Sequence, residues 1–250
     1  MILSEAKIGV VGLGYVGLPL ALAFAQKFPV VGFDIDKNRI SKLTKGIDET
    51  QEADPSSLID TSLSFSSSIE SLADCNVFVV TVPTPVDQAK KPDLEFLLNA
   101  CNSVGNLIRK GCVVIFESTV FPGCTEEICV PILEQTSGLK LNEDFYCGYS
   151  PERINPGDKT RDFSSIVKIT SGSNESAAQF VDNLYGTVVN AGTYRAESIK
   201  VAESAKIIEN IQRDINIALM NELSIIFDKM SIDTKSVLNA AATKWNFLPF

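Results

Sequence analysis

Residues 7–17 read KIGVVGLGYVG, and the rest of the chain is understood from them. The first five are an apolar, β-rich run. After them comes Gly12-Leu13-Gly14-Tyr15-Val16-Gly17, and then helix-forming residues from Val16 to Lys27. GxGxxG alone is a weak signal. Placed after a strand and at the opening of a helix, it is the phosphate-binding turn of a dinucleotide fold. Gly12 permits the tight turn, Gly14 lets the backbone approach a pyrophosphate, and Gly17 lets the helix pack closely on the sheet. Tyr15 and Val16 lead into a helix start whose free N–H groups and partial positive charge favour phosphate. The next predicted strand ends in VGFDID, and Asp34 stands where an acid hydrogen-bonds the adenosine ribose. A carboxylate there repels a 2′-phosphate, so the expected cofactor is NAD and not NADP. A plain βα turn with an exposed Asp is the alternative, and the surrounding pattern disfavours it.

Bulk properties narrow the class. The chain has 250 residues, 45% of them hydrophobic, enough for a substantial core. A net charge of −9 with no clustered Lys and Arg argues against a nucleic-acid partner. No apolar run is long enough to span a bilayer, so no membrane partner is expected. The apolar stretch Val16–Ala25 lacks the basic start of a signal peptide. Histidine is absent, which removes imidazole bases, His-ligated zinc and Ser-His-Asp triads. Six cysteines at irregular spacing, with no CxxC, point to a reducing, cytoplasmic location and to no metal site.

Apolar runs alternate with helix-length segments. Strands are predicted at Lys7–Val11, Val30–Phe33, Val77–Val82, Val113–Phe116, Phe145–Tyr149 and Ile166–Thr170. Helices are predicted at Val16–Lys27, Lys37–Leu43, Leu94–Ile108, Thr125–Gln135 and Glu175–Tyr185. The pattern is an α/β, Rossmann-like doubly wound parallel sheet with helical crossovers. Ser62–Ser68 reads as an edge or a loop. Residues 196–230 contain no Pro or Gly and repeat Ile, Leu and Ala at helical spacing. They form either one helix of roughly 50 Å or two meeting at a kink. The sharper reading is a spine between domains, with a second copy alongside as a homodimer. The expected organisation is a dinucleotide-binding domain over 1–195, a connecting helix over 196–230, and the start of a second helical domain over 231–250. The chain stops on AATKWNFLPF, a bulky apolar cluster that is expected to mark a cut and not a natural end.

Two further predicted strand ends carry marked loops. One is Val82-Pro83-Thr84-Pro85, where prolines stiffen the chain. The other is Glu117-Ser118-Thr119, whose Thr119 could reach the nicotinamide end; taken alone, both loops read first as ordinary loop punctuation. The partner chemistry is constrained by omission. No Tyr has a Lys four residues on, as short-chain dehydrogenases require, and lactate-type enzymes need His. What remains distinctive is GYSPERINPGD at 148–158 and AESAKIIENIQRDINIALMNE at 202–222.

Together the glycine turn, Val82-Pro-Thr-Pro, Glu117-Ser-Thr, Ser150-Pro-Glu-Arg and Lys206-x-x-x-Asn210 resemble, in order, the UDP-glucose/GDP-mannose dehydrogenase family. SPERINPGD and the ending KWNFLPF look most like its bacterial UDP-N-acetylhexosamine 6-dehydrogenases of surface-polysaccharide synthesis. The resemblance implies a four-electron oxidation of a sugar 6-hydroxymethyl group to a carboxylate, using two NAD and a UDP-sugar substrate. It implies a cysteine thiolate that adds to the intermediate aldehyde, so that the second oxidation yields a thioester for water to cleave. Glu152 resembles the family's general base for that hydrolysis. Lys206 and Asn210, on one helix face, resemble the pair that stabilises the developing oxyanion. Thr119 resembles the threonine that holds the catalytic water. Pro83, Thr84, Thr119 and Glu152 also fall in the cofactor-binding set. Glucose-type relatives carry a second Glu where this chain has Pro156, which favours the N-acetylhexosamine branch. None of the six cysteines has the nucleophile's context. The expectation is therefore a chain cut before both the catalytic loop and the domain that, by the resemblance, grips the UDP, so that it binds NAD and turns over no UDP-sugar. Cys124, after Pro122-Gly123 at a predicted helix start, could have a lowered pKa, but the favoured reading is a bystander. UDP-glucose 6-dehydrogenase, a non-catalytic NAD-binding module, and a hydroxyacid dehydrogenase with a helix-borne Lys stay as alternatives.

Overall fold

Short runs of Val, Ile and Phe, buried on both faces, build the sheet. The structure is a computed structural model that describes residues 1–59, 62–154 and 163–248. The strands are β1 (Ile8–Val11), β2 (Val30–Phe33), β3 (Ser64–Ser66), β4 (Val77–Val80), β5 (Val113–Phe116), β6 (Tyr146–Tyr149), β7 (Lys168–Gly172) and β8 (Thr193–Arg195). They form one eight-stranded sheet of order β3-β2-β1-β4-β5-β6-β7-β8. The helices are α1 (Gly17–Ala25), α2 (Lys37–Leu43), α3 (Pro55–Ile59), α4 (Glu95–Gly105), α5 (Val130–Ser137), α6 (Glu175–Gly186), α7 (Ile199–Lys229) and α8 (Thr234–Ala241). The Ser-rich stretch supplies β3, the edge strand. β8 was not expected.

The sheet departs from the expected all-parallel form at one place. β7 pairs antiparallel to β6, with Gly148 opposite Gly172. Between these strands the described residues contain one 3₁₀ turn, Phe163–Ser165, and no helix to cross a face. A strand that re-enters from the edge its predecessor left runs antiparallel. α6 then crosses back, and β8 lies parallel to β7. The helix predicted over Thr125–Gln135 begins as a π-helical turn, Thr125–Cys129, and continues as α5. Pro131 has no N–H to give to Glu127, so the regular i→i−4 ladder cannot run through it. Pro156 and the last two residues of KWNFLPF lie outside the described residues.

The core is centred on β1. Ile8 and Val10 are fully buried, together with Leu18, Ala21 and Phe24 of α1 and Val181, Leu184 and Tyr185 of α6. Phe24 meets Tyr185 edge to face at 5.5 Å. Burying a ring of this kind stabilises by about 2–3 kcal/mol. Contacts divide the chain into Met1–Ser204 and Ala205–Phe250. The first unit holds the whole sheet and the first turn of α7. The second holds the rest of α7, which is unbroken over 31 residues, and α8, whose N-cap Asp233 accepts from the Ser236 N–H at 2.7 Å. Among the described residues no helix is long and apolar enough to cross a membrane.

Candidate active site

The glycine turn is built by contact. Gly12 has φ +97°, a conformation that L side chains rarely adopt. A Cβ on Gly17 would lie 1.9 Å from the Gly12 carbonyl oxygen and 2.4 Å from Thr81 Oγ1. Thr81, at the end of β4, donates its hydroxyl to that same carbonyl at 2.7 Å. A Cβ on Gly14 would meet nothing within 4 Å, because Gly14 faces open space. The start of α1 thus lies beside a backbone that a ligand can approach, and a helix N-terminus favours phosphate there. Asp34, at the tip of β2, accepts from the Leu13 N–H at 2.8 Å and from the Asp36 N–H at 2.9 Å. Its carboxylate is therefore fixed against the turn. Buried Arg39 completes the scaffold. It donates to the Leu13 carbonyl at 2.9 Å, to Asp48 at 2.7 Å and to Thr50 at 3.3 Å.

A cleft of about 830 Å³ opens over the C-terminal ends of β1, β2, β4, β5 and β6. This is where a doubly wound sheet binds its ligand. One end is walled by Asp34, Ile35 and Thr50, the other by Glu117, Thr119 and Glu152. Two hydroxyls stitch the loops after β4 and β5 together. Ser118 donates to the Val82 carbonyl at 2.6 Å, and Thr84 donates to the Thr119 carbonyl at 2.6 Å.

Behind Thr119 lies a buried ionic cluster. Lys168 Nζ sits 2.6 Å from Glu117 Oε2 and 3.5 Å from Glu152 Oε2. Tyr185 donates its phenolic O–H to the other oxygen of Glu117. Glu152 Oε1 accepts the N–H groups of Arg153 at 2.6 Å and Ile154 at 2.5 Å. Burial pushes the Glu117 carboxyl up, against the pull of Lys168. Burial pushes Lys168 down, but its two carboxylates outweigh that and hold it protonated above the usual lysine range. Both oxygens of Glu117 face donors, the arrangement an ionised carboxylate satisfies.

Gly12, Gly14, Tyr15, Val16, Asp34, Pro83, Thr84, Thr119 and Glu152 all line this one cleft. Gly17 lies beneath it, packed on Gly12. Lys206 and Asn210 stand one turn apart on α7, in the second unit, with Asn210 accepting from Arg213 at 2.8 Å. All six cysteines are free and buried, and none lines the cleft. Cys124 lacks the lowered pKa that a helix start can give. Its thiol is pushed well up, by its hydrogen bond with Cys129 and by burial. Burial raises Cys75 to about 11. Among the described residues no cluster suited to a metal ion is present.

Several supporting residues were missed from sequence. Lys168 did carry a signal, a lone Lys inside the apolar run Ile166–Thr170. Glu203 carried a similar one among the alanines of the α7 start. It is fully buried and accepts the N–H groups of Gly123 at 2.6 Å and Thr125 at 3.0 Å. Thr81 and Arg39 had none, because an ordinary strand-end Thr and helical Arg look the same.

Residues 6–189 match the UDP-glucose/GDP-mannose dehydrogenase family, NAD binding domain, and residues 200–249 match that family's central domain. Similarity extends to UDP-N-acetyl-D-glucosamine 6-dehydrogenase of Pseudomonas aeruginosa, 59% identical over 249 residues, which are 99% of this chain and 59% of that protein. Protein CapL of Staphylococcus aureus is 53% identical over 244 residues, 98% of this chain and 58% of that one. Among solved structures, UDP-D-ManNAc dehydrogenase of Pyrococcus horikoshii superposes with a TM-score of 0.89 at 34% identity, covering 96% of this chain and 58% of that one. The chain thus spans under three fifths of the length of each.

Proposed function

Since the chain belongs to the UDP-glucose/GDP-mannose dehydrogenase family and its residues 6–189 are an NAD binding domain of that family, we propose that it serves the oxidation of a UDP-N-acetylhexosamine at C6. The balanced reaction takes the CH2OH group, two NAD+ and one water to a carboxylate, two NADH and three protons. NAD supplies the hydride acceptor when bound. The residues present fit it: Gly14 leaves the approach open, the α1 start offers N–H groups, and Asp34 presents a fixed carboxylate to a ribose diol. In this reading the loop hydroxyls hold Thr119 where the sugar end of the cleft must place a water. Glu152, its carboxylate steered by two backbone N–H groups and Lys168, takes a proton from that water. Lys206 and Asn210 stabilise negative charge on the sugar oxygen. The observation that carries the proposal is one cleft lined by the glycine turn, Asp34, Thr119 and Glu152 together. Similarity to the UDP-N-acetyl-D-glucosamine 6-dehydrogenase of Pseudomonas aeruginosa supports the N-acetylhexosamine branch.

We also read the protein as cytoplasmic, in keeping with six free, buried cysteines. A homodimer through α7 is supported by exposed Ile208, Ile211, Ile215, Leu219 and Ile226 along that helix. The direct test of function is calorimetry with NAD+ and NADP+, then with UDP-N-acetylglucosamine and UDP-glucose. The proposal expects NAD+ to bind at least about tenfold more tightly than NADP+, from carboxylate–phosphate repulsion at Asp34. Tighter NADP+ binding, or a preference for UDP-glucose, sinks it.

A further inference from the structure

The buried cluster behind Thr119 has an asymmetry of charge. Glu117 and Glu152 both line the cleft, whereas Lys168, which pairs with both, does not reach the cleft wall. One ammonium shared by two carboxylates leaves that wall with negative charge in excess. The cluster is also out of water: Glu117 is 2% exposed, Lys168 3% and Glu152 7%. Charges so placed act at short range with little solvent screening.

The sheet says which part of a dinucleotide meets this wall. β2 and β4 flank β1 on opposite sides. With a pyrophosphate at the turn after β1 and adenosine at Asp34 on β2, the other nucleoside extends over β4, β5 and β6, toward Glu117 and Glu152. The oxidised nicotinamide ring is a cation and the reduced ring is neutral, while the rest of the dinucleotide keeps its charge.

We propose that Glu117 and Glu152 make this end of the cleft a discriminator of cofactor oxidation state, holding the cationic ring more tightly than the neutral one. The inference rests on the cleft being the NAD site. It gives the cluster a purpose in a four-electron oxidation, where reduced cofactor must leave and oxidised cofactor enter between the two steps. Lys168 acts as a positioning residue, holding two carboxylates at one wall. Tyr185 supplies a hydrogen bond without adding charge.

The test is calorimetry of the whole chain with NAD+, NADH and ADP-ribose, on the wild type and on Glu117→Gln, Glu152→Gln and Tyr185→Phe. Each Glu→Gln change is expected to lower the NAD+ preference over NADH by about tenfold, as loss of one nearby desolvated charge should. ADP-ribose has no nicotinamide, and its affinity should stay within about twofold wherever the turn is intact. Tyr185→Phe removes a hydrogen bond and no charge, so the NAD+/NADH ratio should hold within about twofold. An unchanged ratio in both Gln variants overturns the proposal, as does an equal loss of all three ligands. Should Glu117→Gln not fold, Glu152→Gln decides alone, because its Oε1 can still accept from Arg153 and Ile154. A wild type that binds neither ADP-ribose nor NAD+ overturns the NAD reading and the discriminator with it. A wild type that binds ADP-ribose and both cofactors equally overturns the discriminator only.

Discussion

At the scale of single residues, the cleft depends on groups that never touch a ligand. Gly17 is the clearest. An added methyl would sit 1.9 Å from the Gly12 carbonyl, a backbone atom with nowhere to go. Gly17→Ala should therefore cost about 2 kcal/mol or more, at the upper end of overpacking penalties, and weaken NAD+ at the same time. Urea unfolding and calorimetry would check both, and a variant as stable as wild type would show that the turn adapts. Asp48 works one layer out. Burial alone would raise its carboxyl, but Thr50, Arg39 and backbone N–H groups outweigh burial and hold it below its ordinary value. Its folded pKa lies under its unfolded one, so the unfolded chain binds more protons between them. The resulting stability is present above about pH 4 and is lost as pH falls through the folded pKa. Asp48→Asn removes the negative charge that pairs with Arg39, whose side chain is 10% exposed against 1% for Asp48. The expected loss is about 2–4 kcal/mol at neutral pH. In paired denaturant curves the gap between variant and wild type should hold at pH 7 and narrow below about pH 4. A gap that does not change with pH would place its origin outside the carboxylate.

The same contrast decides, at the level of elements, what could be read from sequence. β1, β4 and β5 were legible because strands buried on both faces must be nearly continuously apolar. The glycine turn and Asp34 were legible because their chemistry demands particular residues at particular spacing. β8 was not, since Thr193–Arg195 is three residues long and partly exposed, with no apolar face to declare it. The reversal of β7 was hidden too, because strand composition does not encode direction. The π-helical turn before Pro131 was readable in principle, from the missing N–H. Glu203 shows what element-level reading misses: a charge that joins two helices distant in sequence. Its carboxylate caps the N-terminus of the Thr125 turn through Gly123 and Thr125. Glu203→Ala leaves two buried N–H groups without acceptors. It should destabilise by about 2–3 kcal/mol, which thermal unfolding would read as a drop of several degrees. A shift under one degree would mean that water replaces the carboxylate without cost.

For the whole molecule, the division at Ser204 separates the cleft residues from an exposed aliphatic row. Every residue lining the cleft belongs to Met1–Ser204. The exposed aliphatic row from Ile208 to Ile226 belongs to Ala205–Phe250. Cofactor affinity and self-association should therefore come apart when the chain is shortened. The first unit carries its own sheet and core, and the cut after Ser204 keeps Glu203 and its cap. Residues 1–204 alone should bind NAD+ within about threefold of the whole chain, since no cleft contact is removed. They should also be monomeric by light scattering, while the whole chain forms a dimer at micromolar concentration. A helix that exposes a continuous apolar stripe gains by burying it against a copy of itself, at roughly 25 cal/mol for each Å² covered. If the whole chain stays monomeric, the stripe on α7 has another partner. If the shortened chain loses NAD+, residues after Ser204 matter for cofactor affinity, and side chains of α7 become the ones to substitute next.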